Sequence, residues 1–168
     1  MTFMSFFETD LQSFEEAMTS NDAPMWKEAI NNEIYSIMSN HTWKLVDLPP
    51  GAKTIGCRWI FKKKLKLDGS IDKYKARLVA KGYNQKKDIN YFDTFAPVTR
   101  ISSIRFLIAL TSIHNLFVHK MDVKTGFLNR DLEEKIYIDQ QESCIAKGNE
   151  QKVCKLVKSL YGLKQTPK

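Results

Sequence analysis

Apolar residues at Trp26, Ala29, Ile30, Ile34, Ile37 and Met38 recur at the three-and-four spacing of one helix face, so "SNDAPMWKEAINNEIYSIMSN" predicts an amphipathic helix. Asn21 and Asp22 are its capping candidates, and Pro24 falls in the first turn, where no helical N–H bond is lost. "TWKLVDLPPG" predicts a short strand closed by Pro49, Pro50 and Gly51. The period then changes to two. "CRWIFKKKLKL" and "IDKYKARLVAKGY" predict paired strands around "DGS", where Asp68 and Gly69 tolerate the positive backbone angles of a tight hairpin. Helical spacing returns in "RISSIRFLIALTSIHN" through Ile104, Leu107, Ile108 and Leu110, with Ser102 or Ser103 as cap, and predicts a core helix. The bulky apolar run "LFVHKMD" predicts a central strand that ends at Asp122.

Alternation in the hairpin separates two faces. Tyr74, Ala76, Leu78 and Ala80 share one side, while Lys73, Lys75, Arg77 and Lys81 share the other. Charge gives this pattern weight. The 168-residue chain carries +7 overall, yet residues 58–87 hold eleven Lys and Arg against Asp68 and Asp72, so the remainder is slightly acidic. A concentrated basic face suits an acidic partner such as nucleic acid, and a plain solvated lysine face is the competing account. Spacing leaves both open.

Composition narrows the class further. Hydrophobic residues make up 43% of the chain, enough for one buried core. Cys57, Cys144 and Cys154 lack Cys-x-x-Cys spacing, which argues against a disulfide framework or zinc knuckle and favours a reducing compartment. His114 and His119 have no second ligand at metal-binding spacing. The opening "MTFMSFFETDLQSFEEAM" lacks a basic segment followed by an unbroken apolar stretch, and no run is long enough to span a bilayer. Asp122 itself has two readings: a cap or turn residue at a strand end, or a hard oxygen ligand for magnesium.

The ordered series "MWKEAINNEI", "NHTWKLVDLP", "CRWIFKKKLKLDGSIDKYKARLVAKGYNQ", "INYFDTFAPVTRISSIRFLIAL", "VHKMDVKTGFLN", "EKIYI" and "VCKLVKSLYGLKQTPK" resembles the reverse transcriptase domain of copia-type long-terminal-repeat retrotransposon Pol polyproteins. The resemblance implies an α+β fold: the fingers and partial palm of a right-hand polymerase, truncated. Residues 1–23 would flank a partial domain over 24–168, with about 24–115 mainly fingers and about 116–168 the start of the palm. Asp122 matches the first catalytic aspartate, a ligand to two Mg2+ ions, with the Val123 backbone carbonyl as a further ligand. Phe127 would stack against the sugar and exclude a 2′-hydroxyl, and Thr125 and Gly126 would offer backbone N–H groups to the triphosphate.

Arg77 resembles the finger arginine along the incoming dNTP, with Lys63 or Lys64 reaching the terminal phosphate. Tyr161 and Gly162 would flank the nucleotide, while Lys73, Lys75, Lys81 and Lys164 would meet nucleic acid. Implied partners are an RNA template, a DNA primer and the remainder of the Pol polyprotein, with no membrane. Location is expected to be intracellular, in a cytoplasmic virus-like particle or the nucleus, and not secreted. The chain departs from the family at Gly126 and Arg130, where alanine and glycine are usual, and contains no Tyr-x-Asp-Asp motif. It is therefore expected to be an RNA-directed DNA polymerase fragment (a nucleotidyltransferase by family) that is inactive alone. The alternative is a non-catalytic nucleic-acid-binding remnant, or a translated pseudogene product, using its basic hairpin.

Overall fold

The computed structural model describes residues 11, 13–87, 90–91, 99–119, 121, 128, 131–141, 144–145 and 147–165. The first helix, α1 (Phe14–Thr19), starts at Ser13, whose hydroxyl accepts the Glu16 N–H at 3.1 Å. It buries Ala17 completely against the long helix α2 (Ala23–Ser39), so the packed unit begins ahead of residue 24.

α2 follows its apolar spacing: Trp26, Ala29, Ile30 and Ile37 are buried, Ile34 packs at the margin, and Met38 is exposed. Asp22 occupies the N-cap position but makes no capping bond through its side chain. The helix ends when His41 turns into the left-handed region, at φ 54. Thr42 N–H then bonds the Ile37 carbonyl (3.1 Å) and His41 N–H the Met38 carbonyl (3.0 Å), the paired bonds of a Schellman ending.

β1 (Trp43–Val46) leaves this turn and pairs antiparallel with β5 (Val153–Leu156), which pairs in turn with β4 (Tyr137–Ile138). β2 (Cys57–Leu65) and β3 (Ile71–Ala80) form a separate antiparallel hairpin. The two sheets meet at Ile55, which bridges Ile138 and donates its N–H to the Tyr137 carbonyl at 2.8 Å. α2 lies across the hairpin's inner face. Trp26 meets Phe61 and Tyr74 edge-on, with centroids 5.3 and 4.7 Å away. One continuous core runs from there through Trp59, Leu78 and Ile138 to Leu156 and Leu160.

Three expectations change. In the hairpin turn Gly69 alone of the pair adopts positive φ (+84), and Asp68 works through its carboxylate, which accepts from Ser70 N (2.9 Å) and Ser70 Oγ (2.6 Å). Helix α3 (Ile101–Ile113) forms as predicted, but its N-cap is Arg100 and none of its 13 residues is buried, so it is no core helix among the described residues. Ile104, Phe106, Leu107 and Ile108 are all exposed: helical periodicity selects a face without supplying a partner for it. The described part of the central strand expected to end at Asp122 also differs from that expectation, and Lys120 and Asp122 lie outside the described residues. Residues 116–119 and 121 carry no strand pairing, and Leu116, Phe117, Val118 and Met121 are exposed.

His41 holds a conformation that costs a β-carbon-bearing residue about 1 kcal/mol. His41→Gly is expected to raise stability by about that amount in urea unfolding, and a loss would contradict the Schellman assignment.

Candidate nucleic-acid interface

Strand alternation builds the site. With Trp59, Phe61, Ala76 and Leu78 turned toward α2, the opposite face carries Arg58, Lys62 and Lys64 from β2 and Lys73, Lys75 and Arg77 from β3, with Ile60 and Val79 between them. Register sets Lys62 opposite Lys75 and Lys64 opposite Lys73. Directly opposed like charges cost about 0.2–1 kcal/mol per pair, so the apolar inner face sustains an outer face that repels itself. A polyanion laid across it removes that cost.

Lys63 and Lys64, alternatives by sequence, lie on opposite faces. Lys63 sits on the α2 side, with Nζ 2.9 Å from the Asp22 carboxylate and 5.9 Å from the centre of the Tyr74 ring. The Lys63 hydrogen bond, with a smaller contribution from Tyr74, holds the Asp22 carboxyl below its ordinary range. Lys64 shares the face of Arg77. Lys81 lies just past β3; its N–H bonds the Gly56 carbonyl at 2.8 Å and its side chain runs over Gly56.

The edge of β3 that faces away from β2 is met by two acceptors. Ala80 N–H donates to the Tyr161 carbonyl at 2.7 Å, and the Leu78 N–H favours the ionised form of the Glu33 carboxyl beside it. The Arg77 guanidinium stands 5.2 Å over the Tyr161 ring. Arg77, Tyr161 and Gly162 are thus brought together by a strap, residues 160–165, anchored by buried Leu160 and Leu163. Glycine permits the contact: a β-carbon at Gly162 would overlap the Ala80 carbonyl, and one at Gly82 would overlap the Gly162 carbonyl.

Lys164 is held from within. Its Nζ donates to the Gln85 carbonyl and the Tyr91 hydroxyl, both at 3.2 Å, which leaves one proton of the ammonium for an outside acceptor. Gln85, Tyr91, Gln165 and Glu33 were not singled out by sequence reasoning. The parallel endings of "KGYNQ" and "YGLKQ", each a glycine followed three residues later by glutamine, were the available signal.

Burial pushes the Glu33 carboxyl up, against the opposing influence of the Leu78 N–H, Arg77 and Lys75. Its Oε1 is buried with no hydrogen-bond partner among the described residues. Cys57 and Cys154 are free, buried thiols pushed up to about 12 by burial, which makes them packing residues rather than nucleophiles. Asp122, Val123, Thr125, Gly126 and Phe127 lie outside the described residues. Among the described residues, no three His, Cys, Asp or Glu side chains gather as a metal site, and no helix is long and apolar enough to cross a membrane.

A mixed helix-and-sheet unit with a cationic hairpin and a glycine-docked strap is a scaffold suited to phosphate-rich ligands. Residues 40–168 match the family model described as reverse transcriptase (RNA-dependent DNA polymerase), and the chain belongs to that family. It is 43% identical over 157 residues to the retrovirus-related Pol polyprotein from transposon TNT 1-94 of Nicotiana tabacum, covering 94% of this chain and 12% of that one. Against the Pol polyprotein from transposon RE1 of Arabidopsis thaliana the identity is 46% over 144 residues, 85% of this chain and 10% of that one. The RE2 polyprotein of Arabidopsis thaliana matches at 41% over 166 residues, 96% and 11%. The chain thus spans about a tenth of the length of these relatives. No solved structure matches it significantly.

Two expected outcomes follow from the strap and the buried acid. Gly69→Ala meets positive φ but open space and should cost about 1 kcal/mol, whereas Gly162→Ala adds a backbone overlap and should cost roughly 3 kcal/mol by denaturant unfolding. For Glu33, a folded-state value above the ordinary 4.5 means that the fold favours the protonated acid, a contribution present below pH 4.5 and lost as pH rises through the raised value. Glu33→Gln should therefore gain on the wild type as pH rises from 4.5 through the raised value in paired urea titrations, and an unchanged difference would refute the burial effect.

Proposed function

We propose that this chain is the nucleotide- and template-engaging part of an RNA-directed DNA polymerase within a retrotransposon Pol polyprotein, with residues 24–115 as fingers and 116–168 opening the palm. The observation that carries the reading is the continuity of the six-cation hairpin face with the Arg77–Tyr161 strap. On this reading Arg77 lies along the triphosphate of a dNTP, its planar fork suited to paired phosphate oxygens. Lys64, on the same face, reaches the terminal phosphate, while Lys63 stays with Asp22. Tyr161 and Gly162 flank the nucleotide, and Lys73, Lys75, Lys81 and the remaining proton of Lys164 meet the backbone of an RNA template and DNA primer.

Asp122 is the first catalytic aspartate, with the Val123 carbonyl a second oxygen ligand for Mg2+. Thr125 and Gly126 supply N–H groups to phosphate, and Phe127 excludes a 2′-hydroxyl. Bound magnesium would stabilise the attacking and leaving oxygens in phosphoryl transfer. One carboxylate does not hold two ions, so polymerisation requires the further carboxylates of a longer Pol product. A purely nucleic-acid-binding role draws on the same cationic face and differs only in lacking extension.

Affinity for an RNA–DNA hybrid, measured across a salt series, tests the interface. Joint replacement of Lys73, Lys75 and Arg77 by Ala is expected to make the log–log salt slope shallower by about one unit per lost phosphate contact, and affinity indifferent to salt and to these changes would refute the interface. Primer extension is expected only when the chain is joined to the rest of a polymerase region, and abolished there by Asp122→Ala. Extension by the chain alone would overturn the requirement for added carboxylates.

A further inference from the structure

The strap is held on β3 by more than its leucines. Gln85 and Gln165, each 3% exposed, meet side chain to side chain across 80 residues of sequence. Lys164 N–H donates to Gln85 Oε1 at 2.8 Å, Gln85 Nε2 donates to Gln165 Oε1 at 2.8 Å, and Gln165 Nε2 donates to the Asn90 carbonyl at 3.1 Å. A backbone N–H can only donate and a backbone carbonyl can only accept, so the two ends of this chain of bonds fix the orientation of both amides. Turning either one over sets donor against donor or acceptor against acceptor in a buried site.

We propose that Gln85 and Gln165 are positioning residues: a one-way amide lock that sets the register of strap 160–165 along β3, and so holds Tyr161 and Gly162 against Arg77. Leu160 and Leu163 bury the strap, but apolar contacts are non-directional and tolerate sliding. The amides do not, because each accepts one partner in one orientation. They also stand beside the backbone contact: Gly82, three residues before Gln85, abuts the Gly162 carbonyl with no room for a β-carbon. A one-residue slip would break the amide chain, the 2.7 Å Ala80–Tyr161 bond and the Arg77–Tyr161 contact together. The functional half of this proposal rests on the nucleotide-facing reading of the strap given above.

Gln85→Glu tests it with little change of shape. The carboxylate still accepts from Lys164 N–H but presents an acceptor to Gln165 Oε1. At neutral pH, hybrid affinity is expected to fall about tenfold, the worth of one or two net hydrogen bonds. As the pH is lowered toward 5 the protonated carboxyl donates again, and the ratio to wild type returns toward one. Gln85→Met, of similar length with neither donor nor acceptor, should lose affinity at both pH values.

Hydrogen exchange at Ala80 reads the strap directly. Its amide is expected to exchange at least about tenfold faster in both variants at neutral pH, while the β2–β3 ladder amides keep their protection. Unchanged Ala80 exchange in Gln85→Met overturns the lock. Protection lost equally along the whole ladder also overturns it, since the pair would then hold the fold rather than the strap. Faster Ala80 exchange with unchanged hybrid affinity leaves the lock standing and refutes the strap's place in binding.

Discussion

Trp26, set edge-on against Phe61 and Tyr74, is the contact on which the rest depends. It seats α2 on the inner face of the β2–β3 hairpin. Because strand side chains alternate, filling that face with aromatic and aliphatic groups commits the other to whatever remains, and here that is six cations with Ile60 and Val79 between them. Two-stranded hairpins are marginal in water by themselves, and facing lysine pairs make this one more so. Packing against α2 supplies the compensation. Lys63 shows the boundary between the two environments: one position away from Lys64, it is turned inward to Asp22 at the start of α2 and ties the helix to the hairpin.

The site is an edge phenomenon. β3 offers unpaired N–H groups on the side away from β2, and such groups attract partners. Leu78 is met by Glu33 and Ala80 by the Tyr161 carbonyl, so a side chain from the first third of the molecule and a backbone strap from its end finish the same strand. The arginine expected to face nucleotide then rests on the tyrosine of that strap.

Legibility followed periodicity. Residues 23–39, 43–46, 57–80 and 101–113 took the elements that their spacing predicted, and the division of the hairpin into packed and cationic faces was readable from alternation. What spacing lacks is tertiary knowledge. The apolar stripe of α3 promised a core position that the described residues do not provide, and residues 116–119 and 121 are apolar enough for a strand but carry no strand pairing among the described residues. Asp22 carried the signature of a side-chain cap but was taken by Lys63, a competition decided by a contact 41 residues away. Gln85 and Gln165 share only the weak signal of a glycine three residues before each, and that signal does not say that the two amides meet each other. Arg77, Tyr161 and Gly162 came from family resemblance, and the fold brings these three together.

Alternation also determines where the chain can change length. A single residue gained or lost within β2 or β3 would exchange the two faces beyond that point, sending lysines into the aromatic core and Phe61 or Leu78 into solvent. The turn between Lys66 and Ser70 has no such parity to keep, and neither of its faces is packed. Related sequences should therefore differ in length at the hairpin tip and hold the strands constant, so that the tip can vary while the charged surface behind it is inherited intact.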